Sequence, residues 1–325
     1  MFERLLLVWL LLLSGVAYFW PSGWVDPFLA TKPLLQYFFA AAMFAIGSML
    51  PREEVDQALR SWPRVVGGTV VQFTVMPLLG YSMAVLFGLE GGALIGTIMV
   101  GCVPGAMASN VLTQVARGNV SYSVSLTTSS TILSPLVVPW ALYFTLGRWV
   151  EFPVWQVTWD LCWTVVLPVI AGNGLSRLQP RWGAVALRWA PYAANLTILW
   201  IIATVVALNR NRLGEGAESR VVLALLTVNV LGYVGGWLGA YAMGLGSPMR
   251  RALTLEVGMQ NAGLGTILAM RFFADSPEAT IPTALYTFGC VLTGTLLARF
   301  WAEYTDYCSR KAVAGSCSSA QSVGK

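Results

Sequence analysis

The sequence contains no histidine, and only 11% of its 325 residues are Asp, Glu, Lys or Arg. Soluble domains carry about 25% charged residues, so this chain lacks the polar groups that a water-facing surface needs. The composition therefore argues against a soluble enzyme, a disordered protein and a nucleic-acid-binding protein. The absence of histidine also removes the commonest general base and the commonest ligand of transition metals.

Cysteine is present but has no metal-binding or disulfide pattern. The five cysteines form no C-x-x-C pair and no other zinc spacing. Three of them lie in apolar runs, where a thiol behaves as an ordinary small hydrophobe. Neither a transition-metal site nor a disulfide framework is predicted. The cysteines are Cys102, Cys162, Cys290, Cys308 and Cys317.

Apolar residues dominate the chain at 56%, with 32 glycines and 14 tryptophans, as is typical of a polytopic membrane protein. A transmembrane helix needs about 20 mostly apolar residues. Ten such runs are separated by short connections. They are approximately 5–20, 33–50, 64–87, 91–116, 119–147, 153–174, 191–209, 221–245, 250–273 and 280–302.

The distribution of basic residues predicts the orientation of these spans. Ten spans place both termini on one side, and that side then holds 14 of the 20 basic residues. The positive-inside rule puts it in the cytoplasm, so we expect an integral protein of the plasma (inner) membrane with cytoplasmic termini. The Ser-rich residues 307–325 are predicted to form a disordered cytoplasmic tail.

Two polar, glycine-containing interruptions occupy matching positions in the two halves of the chain. A shift of 156 residues overlays Gly101–Asn110 of span four with Val257–Gly265 of span nine. Five spans form an odd repeat, so the second copy inserts upside down, as in many secondary transporters. Interrupted spans in corresponding positions indicate a transport site.

Glu256 is the strongest single signal, because it lies well inside span nine. An ionised side chain at this depth costs roughly 3 kcal/mol or more and usually serves function. No basic residue lies near it in its span, so it must be protonated, hydrogen-bonded or neutralised by a cation. Asp160 lies about 10 Å into span six, by the 1.5 Å rise per residue, and we interpret it as a wetted structural acid.

Oxygen-bearing side chains accompany Glu256. Pro104 and Gly105 break span four just before Ser109 and Asn110, while Ser123 and Thr127 share one face of span five. Any single hydroxyl can instead bond back to its own helix. Together with Gln72 and Gln260, these groups form an all-oxygen donor set that suits a hard cation. Na⁺ is the expected occupant, with H⁺ on Glu256 as its rival.

Three segments together resemble the bile acid:sodium symporter family. Gly101 to Val111 is similar to the family pattern G-x-x-P-G-G-T-A-S-N-V. Ala116 to Val124 is similar to A-R/K-G-N/D-V-A-x-S-V, and Glu256 to Asn261 to E-x-G-x-Q-N. The resemblance extends from about Leu35 to Arg299.

The resemblance implies an all-α polytopic membrane protein of ten transmembrane helices, arranged as two inverted five-helix repeats with two broken, crossing helices. The transporter unit would cover residues 1–306. Within it, about 64–147 and 221–302 would form a core domain, and about 5–50 and 153–209 a panel domain. The implied function is sodium-coupled symport of an organic anion, bile acid-like or a smaller carboxylate, by alternating access, without enzymatic activity.

The resemblance also implies ligands for two sodium ions and a substrate position. The first ion site would use Ser109, Asn110, Ser123, Thr127 and Glu256. The second would use Gln72, Glu256, Gln260 and the carbonyls of Val257 and Met259. Substrate would lie near the helix crossing, beside Met107, Ala108, Asn261 and Cys290.

Two departures from the family make bile acid itself a doubtful substrate. Ala106 and Met107 replace a Gly-Thr pair, and Gly289-Cys290-Val291 replaces a polar stretch in the last span. The lipid bilayer and a small or amphipathic organic anion are the expected partners; no nucleic acid and no obligate protein partner is indicated.

Two alternative functions stay open on the sequence. In an arsenite or anion efflux carrier on a related ten-helix plan, Cys102 would act with Glu256. In an intramembrane enzyme, Ser109 or Cys102 would be the nucleophile and Glu256 the base, although no histidine is available to activate either.

Overall fold

A computed structural model describes the backbone of residues 6–21, 23–50, 61–147, 149–211 and 219–322. Within these ranges the regular structure is helical, apart from one isolated antiparallel bridge between Gly105 and Gln260. The predicted all-α class is confirmed.

Fourteen α-helices lie within the described ranges. They are α1 (Leu6–Tyr18), α2 (Pro27–Ala30), α3 (Leu35–Ser48), α4 (Trp62–Leu86), α5 (Gly91–Cys102), α6 (Ala108–Val115), α7 (Val120–Leu146), α8 (Val154–Leu161), α9 (Leu167–Leu178), α10 (Pro180–Leu208), α11 (Ser219–Ala242), α12 (Ser247–Gly258), α13 (Ala262–Phe272) and α14 (Thr280–Ser322). A π-helical turn over Cys162–Val166 joins α8 to α9.

Six helical segments among the described residues are long and apolar enough to cross a membrane. Three shorter apolar helices, Val8–Tyr18, Gly91–Cys102 and Ala262–Phe272, accompany them. The six long segments are Trp62–Leu86, Val120–Leu146, Val154–Leu178, Arg181–Leu208, Ser219–Ala242 and Pro277–Tyr307.

The helix bounds differ most from the sequence prediction at two places. α10 begins at Pro180, eleven residues before the predicted span. α14 continues to Ser322, so the predicted disordered tail is helical over 307–322, while 323–325 lie outside the described residues. That stretch contains no proline and includes Ala, Lys and Arg, whose helix propensity is high.

The two helix interruptions arise from local backbone chemistry. Val103 precedes Pro104, and a residue before proline disfavours the helical region; its backbone is extended, with φ −77° and ψ 159°. α5 therefore ends at Cys102. In the second interruption α12 ends at Gly258, and Met259 is extended with φ −114° and ψ 103°.

The two interruptions contact each other directly. The backbone N–H of Ala106 donates to the Met259 carbonyl at 2.8 Å, and the N–H of Asn261 donates to the Pro104 carbonyl at 2.8 Å. These bonds satisfy backbone groups that the broken helices leave free. Two broken helical segments therefore contact each other at these residues.

Candidate ion-binding site

Glu256 lies in the last turn of α12 and is completely buried, at 0% exposure. The Ser109 hydroxyl donates to its Oε2 atom at 2.5 Å, and the Thr127 hydroxyl lies 2.8 Å from both carboxylate oxygens. Among the residues that the structure describes, no Lys or Arg forms an ion pair with Glu256. The carboxylate is thus surrounded by neutral hydrogen-bond donors.

The remaining residues of the first predicted ion site surround Thr127. Its Oγ1 atom lies 3.3 Å from Asn110 Oδ1 and 3.1 Å from the Ser123 carbonyl oxygen. The Ser123 hydroxyl in turn accepts from the buried Thr113 hydroxyl at 3.2 Å. Sequence reasoning missed Thr113, although its position one helical turn after Ser109 places both on one face of α6.

Two glutamines form a second polar group beside Glu256. Gln72 is 1% exposed, and neither its Oε1 nor its Nε2 atom has a hydrogen-bond partner among the described residues. Gln260 Nε2 donates to the Val257 carbonyl at 2.6 Å, while its Oε1 atom is also without a partner there. Buried amides are normally hydrogen-bonded, so these atoms indicate a place for a ligand.

Gly105 lies between Glu256 and the glutamine pair, so the two sets of polar side chains approach the same point. A Cβ atom at this position would overlap Glu256 Oε1 and lie 3.3 Å from Gln72 Nε2. Gly105 is also the residue that pairs with Gln260 in the isolated bridge. Only a residue without a side chain allows the backbone of the α5–α6 break to approach the carboxylate this closely.

The residues predicted to contact substrate fall into two kinds. Met107 and Ala108 are partly exposed at the start of α6. Asn261 is partly exposed at the start of α13, where its side chain accepts from Leu264 N–H at 3.1 Å. Cys290 instead is 2% exposed, and its thiol contacts the Thr287 carbonyl at 3.6 Å. The structure therefore does not place Cys290 on an accessible surface.

The contacts of Cys102 and Ser109 bear on the two alternative functions. The thiol of Cys102 lies 3.7 Å from Thr145 Oγ1 and is fully buried, so its polar neighbour is a threonine rather than Glu256. Ser109 does bond to Glu256, as the enzyme hypothesis requires, but it is 0% exposed. A nucleophile needs access to substrate, and this burial counts against that role.

The donor set around Glu256 fits an alkali cation. It combines one carboxylate with hydroxyl, amide and backbone carbonyl oxygens, which are hard ligands. Among the described residues, no group of three or more His, Cys, Asp or Glu side chains is placed to hold a metal ion. One carboxylate provides enough charge for Na⁺ but little for a divalent ion.

The fold and this site define an integral membrane protein with an acidic, oxygen-lined centre where two interrupted helices meet. Residues 37–215 match the sodium bile acid symporter family, and the chain belongs to that family. The predicted family membership is confirmed.

Relatives support the assignment over nearly the whole chain. The chain is 31% identical over 314 residues to the uncharacterized sodium-dependent transporter YocS of Bacillus subtilis strain 168, covering 96% of this chain and 94% of that protein. It is 28% identical over 296 residues to the probable chloroplastic sodium/metabolite cotransporter BASS1 of Oryza sativa subsp. japonica, covering 90% of this chain and 71% of that protein.

A solved structure shares the fold. The sodium proton antiporter MjNhaP1 of Methanocaldococcus jannaschii superposes with a TM-score of 0.59 at 12% identity, covering 91% of this chain and 90% of that one. At this identity the likeness shows the architecture alone. The protein is thus a membrane transporter of a sodium-dependent family with an antiporter-like fold.

Proposed function

We propose that the protein couples the inward movement of Na⁺ to the uptake of a small organic anion by alternating access. The observation that carries this proposal is the environment of Glu256. A fully buried carboxylate with hydroxyl neighbours and no basic partner among the described residues is costly to keep ionised unless a cation neutralises it. A bound Na⁺ supplies that charge.

The contacts support two sodium sites that share one carboxylate. The first site would be formed by the Glu256 carboxylate and the side chains around Thr127, namely Ser109, Asn110 and Ser123. The second would use the Gln72 side, where the amide oxygens of Gln72 and Gln260 have no hydrogen-bond partner among the described residues, together with the carbonyls of Val257 and Met259. A shared carboxylate would make the two ions bind interdependently.

The anion would bind at the crossing of the two breaks, close to both ions. Met107, Ala108 and Asn261 are partly exposed there, and the N-termini of α6 and α13 bring backbone N–H groups to the same place. Among these three side chains none is charged, so Na⁺ itself would provide the positive potential that attracts the anion. Coupling then follows from electrostatics, because the anion binds well only when the cations are present.

Several contacts that join the predicted core domain to the panel domain, or to the segment just before residue 153, lie at the end of the molecule that we expect to face outward. Phe152 stacks on Phe273 with ring centroids 6.3 Å apart, and Asn209 Nδ2 donates to Thr280 Oγ1 at 3.1 Å. Asp160 pairs with Arg271 nearby. These contacts support a state that is closed to the outside.

The two short half-helices of the predicted repeats have different surroundings, as alternating access requires. In α6, Val111 and Val115 are 36% and 42% exposed, whereas residues 262–269 of α13 are buried. The 156-residue shift pairs α6 with the segment around α13. We propose that rocking the panel domain against the core exchanges these two environments and carries the site from one side to the other.

Matching helix ends support the proposed inverted repeat. Gly88 after α4 and Gly244 after α11 are 156 residues apart and have φ values of +61° and +66°. The following residues, Leu89 and Leu245, donate to carbonyls five positions back at 2.9 and 3.0 Å. Both helices thus end in a Schellman motif, and the 156-residue shift aligns the glycine of one motif with the glycine of the other.

Uptake into proteoliposomes tests the function. Wild-type protein should accumulate a subset of labelled organic anions under an inward Na⁺ gradient and not under a K⁺ gradient. Glu256→Gln should abolish that uptake, whereas Asp275→Asn, which changes an exposed acid, should retain it. Anion uptake that is equal in Na⁺ and K⁺ would contradict sodium coupling.

A further inference from the structure

A buried hydrogen-bond network lies behind the α12–α13 break, on α11 and α14. The Gly258 carbonyl accepts from Asn229 Nδ2 at 2.8 Å and from the Tyr286 hydroxyl at 2.8 Å. Asn229 and Tyr286 are 2% and 1% exposed. They satisfy a carbonyl that the end of α12 leaves without a helical partner inside the membrane.

A second layer of hydrogen bonds orients Asn229. The Thr293 hydroxyl lies 2.6 Å from Asn229 Oδ1 and donates to it, which leaves the Asn229 amide nitrogen facing Gly258. Tyr233 lies 3.1 Å from Thr293 Oγ1, and its hydroxyl donates to the Cys290 carbonyl at 3.3 Å. Both layers join α11 to α14 across the break in the helix between them.

The Gly258–Met259 peptide in the break is held by hydrogen bonds at both its carbonyl and its N–H group. The Gly258 carbonyl is fixed by Asn229 and Tyr286, and the Met259 N–H of the same planar unit donates to the Leu255 carbonyl at 3.0 Å. The neighbouring carbonyls belong to Val257 and Met259, which are the backbone ligands proposed for the second sodium ion. Glu256 lies two residues before Gly258.

We infer that Asn229 and Tyr286 are positioning residues, which fix the Gly258 peptide so that the Val257 and Met259 carbonyls are presented to Na⁺. This inference rests on the proposed function and adds to it two residues that touch neither ion nor substrate. Loss of either donor would loosen the hold on this peptide and weaken Na⁺ binding by about tenfold, the effect of one buried hydrogen bond.

The test compares two tyrosines that each donate to a backbone carbonyl. Tyr286→Phe removes the bond to Gly258, and the control Tyr122→Phe removes a 2.9 Å bond to the Arg64 carbonyl, away from the break. Both variants should lower the unfolding temperature measured in K⁺. Only Tyr286→Phe should raise the Na⁺ concentration needed for half-maximal stabilisation, by about tenfold.

Thr293→Val provides a second, milder variant that keeps the side-chain shape. It removes the bond that orients Asn229 and should shift the Na⁺ requirement in the same direction as Tyr286→Phe. A Na⁺ requirement in both variants equal to that of the wild type would overturn the positioning role while leaving the proposed function intact. A wild-type protein that Na⁺ does not stabilise would overturn both.

Discussion

Arg271, in the last turn of α13, forms an ion pair with the buried carboxylate of Asp160 on α8. The Asp160 side chain is 4% exposed, while Arg271 is 46% exposed and also donates to Gln36 Oε1 at 2.8 Å. The prediction that Asp160 is wetted is therefore wrong, while its structural role stays a prediction. It missed a partner 111 residues away on another helix, which lies in the other proposed domain.

Asp160 is buried and Arg271 is half exposed, so substituting one or the other should lower the free energy of unfolding by different amounts. Arg271→Gln leaves a buried carboxylate without its cation and should lower the free energy of unfolding by about 3 kcal/mol. Asp160→Asn leaves an arginine that is half exposed and still bonded to Gln36, so about 1 kcal/mol is expected. Denaturant unfolding in detergent measures both.

The double variant provides the control for this pair. With both charges removed, the loss should be smaller than the sum of the two single losses, because no unpaired buried charge is left. Two single losses of equal size that add without coupling would show that the ion pair does not form.

Gly105→Ala tests the convergence of the helix break on Glu256. The added methyl group would overlap Glu256 Oε1 and crowd Gln72, so Na⁺ should no longer stabilise the protein. Gly289→Ala is the matched control, because a Cβ atom there meets nothing within 4 Å. Thermal unfolding in Na⁺ and K⁺ distinguishes them; a Gly105→Ala protein with the full sodium response would mean that the break lies farther from the carboxylate.

Of the three described glycines with positive φ, the two that end helices, Gly88 and Gly244, predict similar losses of stability when substituted. Gly88→Ala and Gly244→Ala each force a side chain into the left-handed region, at a cost of about 1 kcal/mol or slightly more. Gly174→Ala, in α9, has open space around it and should cost less. Comparable losses at the two end glycines are expected from the repeat, whereas an effect confined to one of them would argue against equivalent helix ends.

Much of the fold and of the first ion site follows from local sequence. Apolar runs predict the helices, and Pro104 predicts the first break because it acts on the adjacent Val103. Ser109, Thr127 and Glu256 stand out as polar groups in apolar surroundings, and the structure brings all three into contact.

Other features depend on tertiary contacts that a single sequence does not reveal. The sequence shows three isolated polar residues, Asn229, Tyr286 and Thr293. Hydrogen bonds connect them only because α11 packs against α14. The family resemblance implies a position beside the substrate for Cys290, yet the packing around α14 leaves it 2% exposed. The Asp160–Arg271 pair likewise depends on contact between helices distant in sequence.

The central claim is that Na⁺ stabilises the protein by binding at Glu256, and thermal unfolding in Na⁺ against K⁺ at equal ionic strength tests it most directly. The wild type and the exposed-acid control Asp275→Asn should unfold at a higher temperature in Na⁺. Glu256→Ala should unfold at the same temperature in both salts. A Glu256→Ala protein that keeps the full Na⁺ stabilisation would contradict the account.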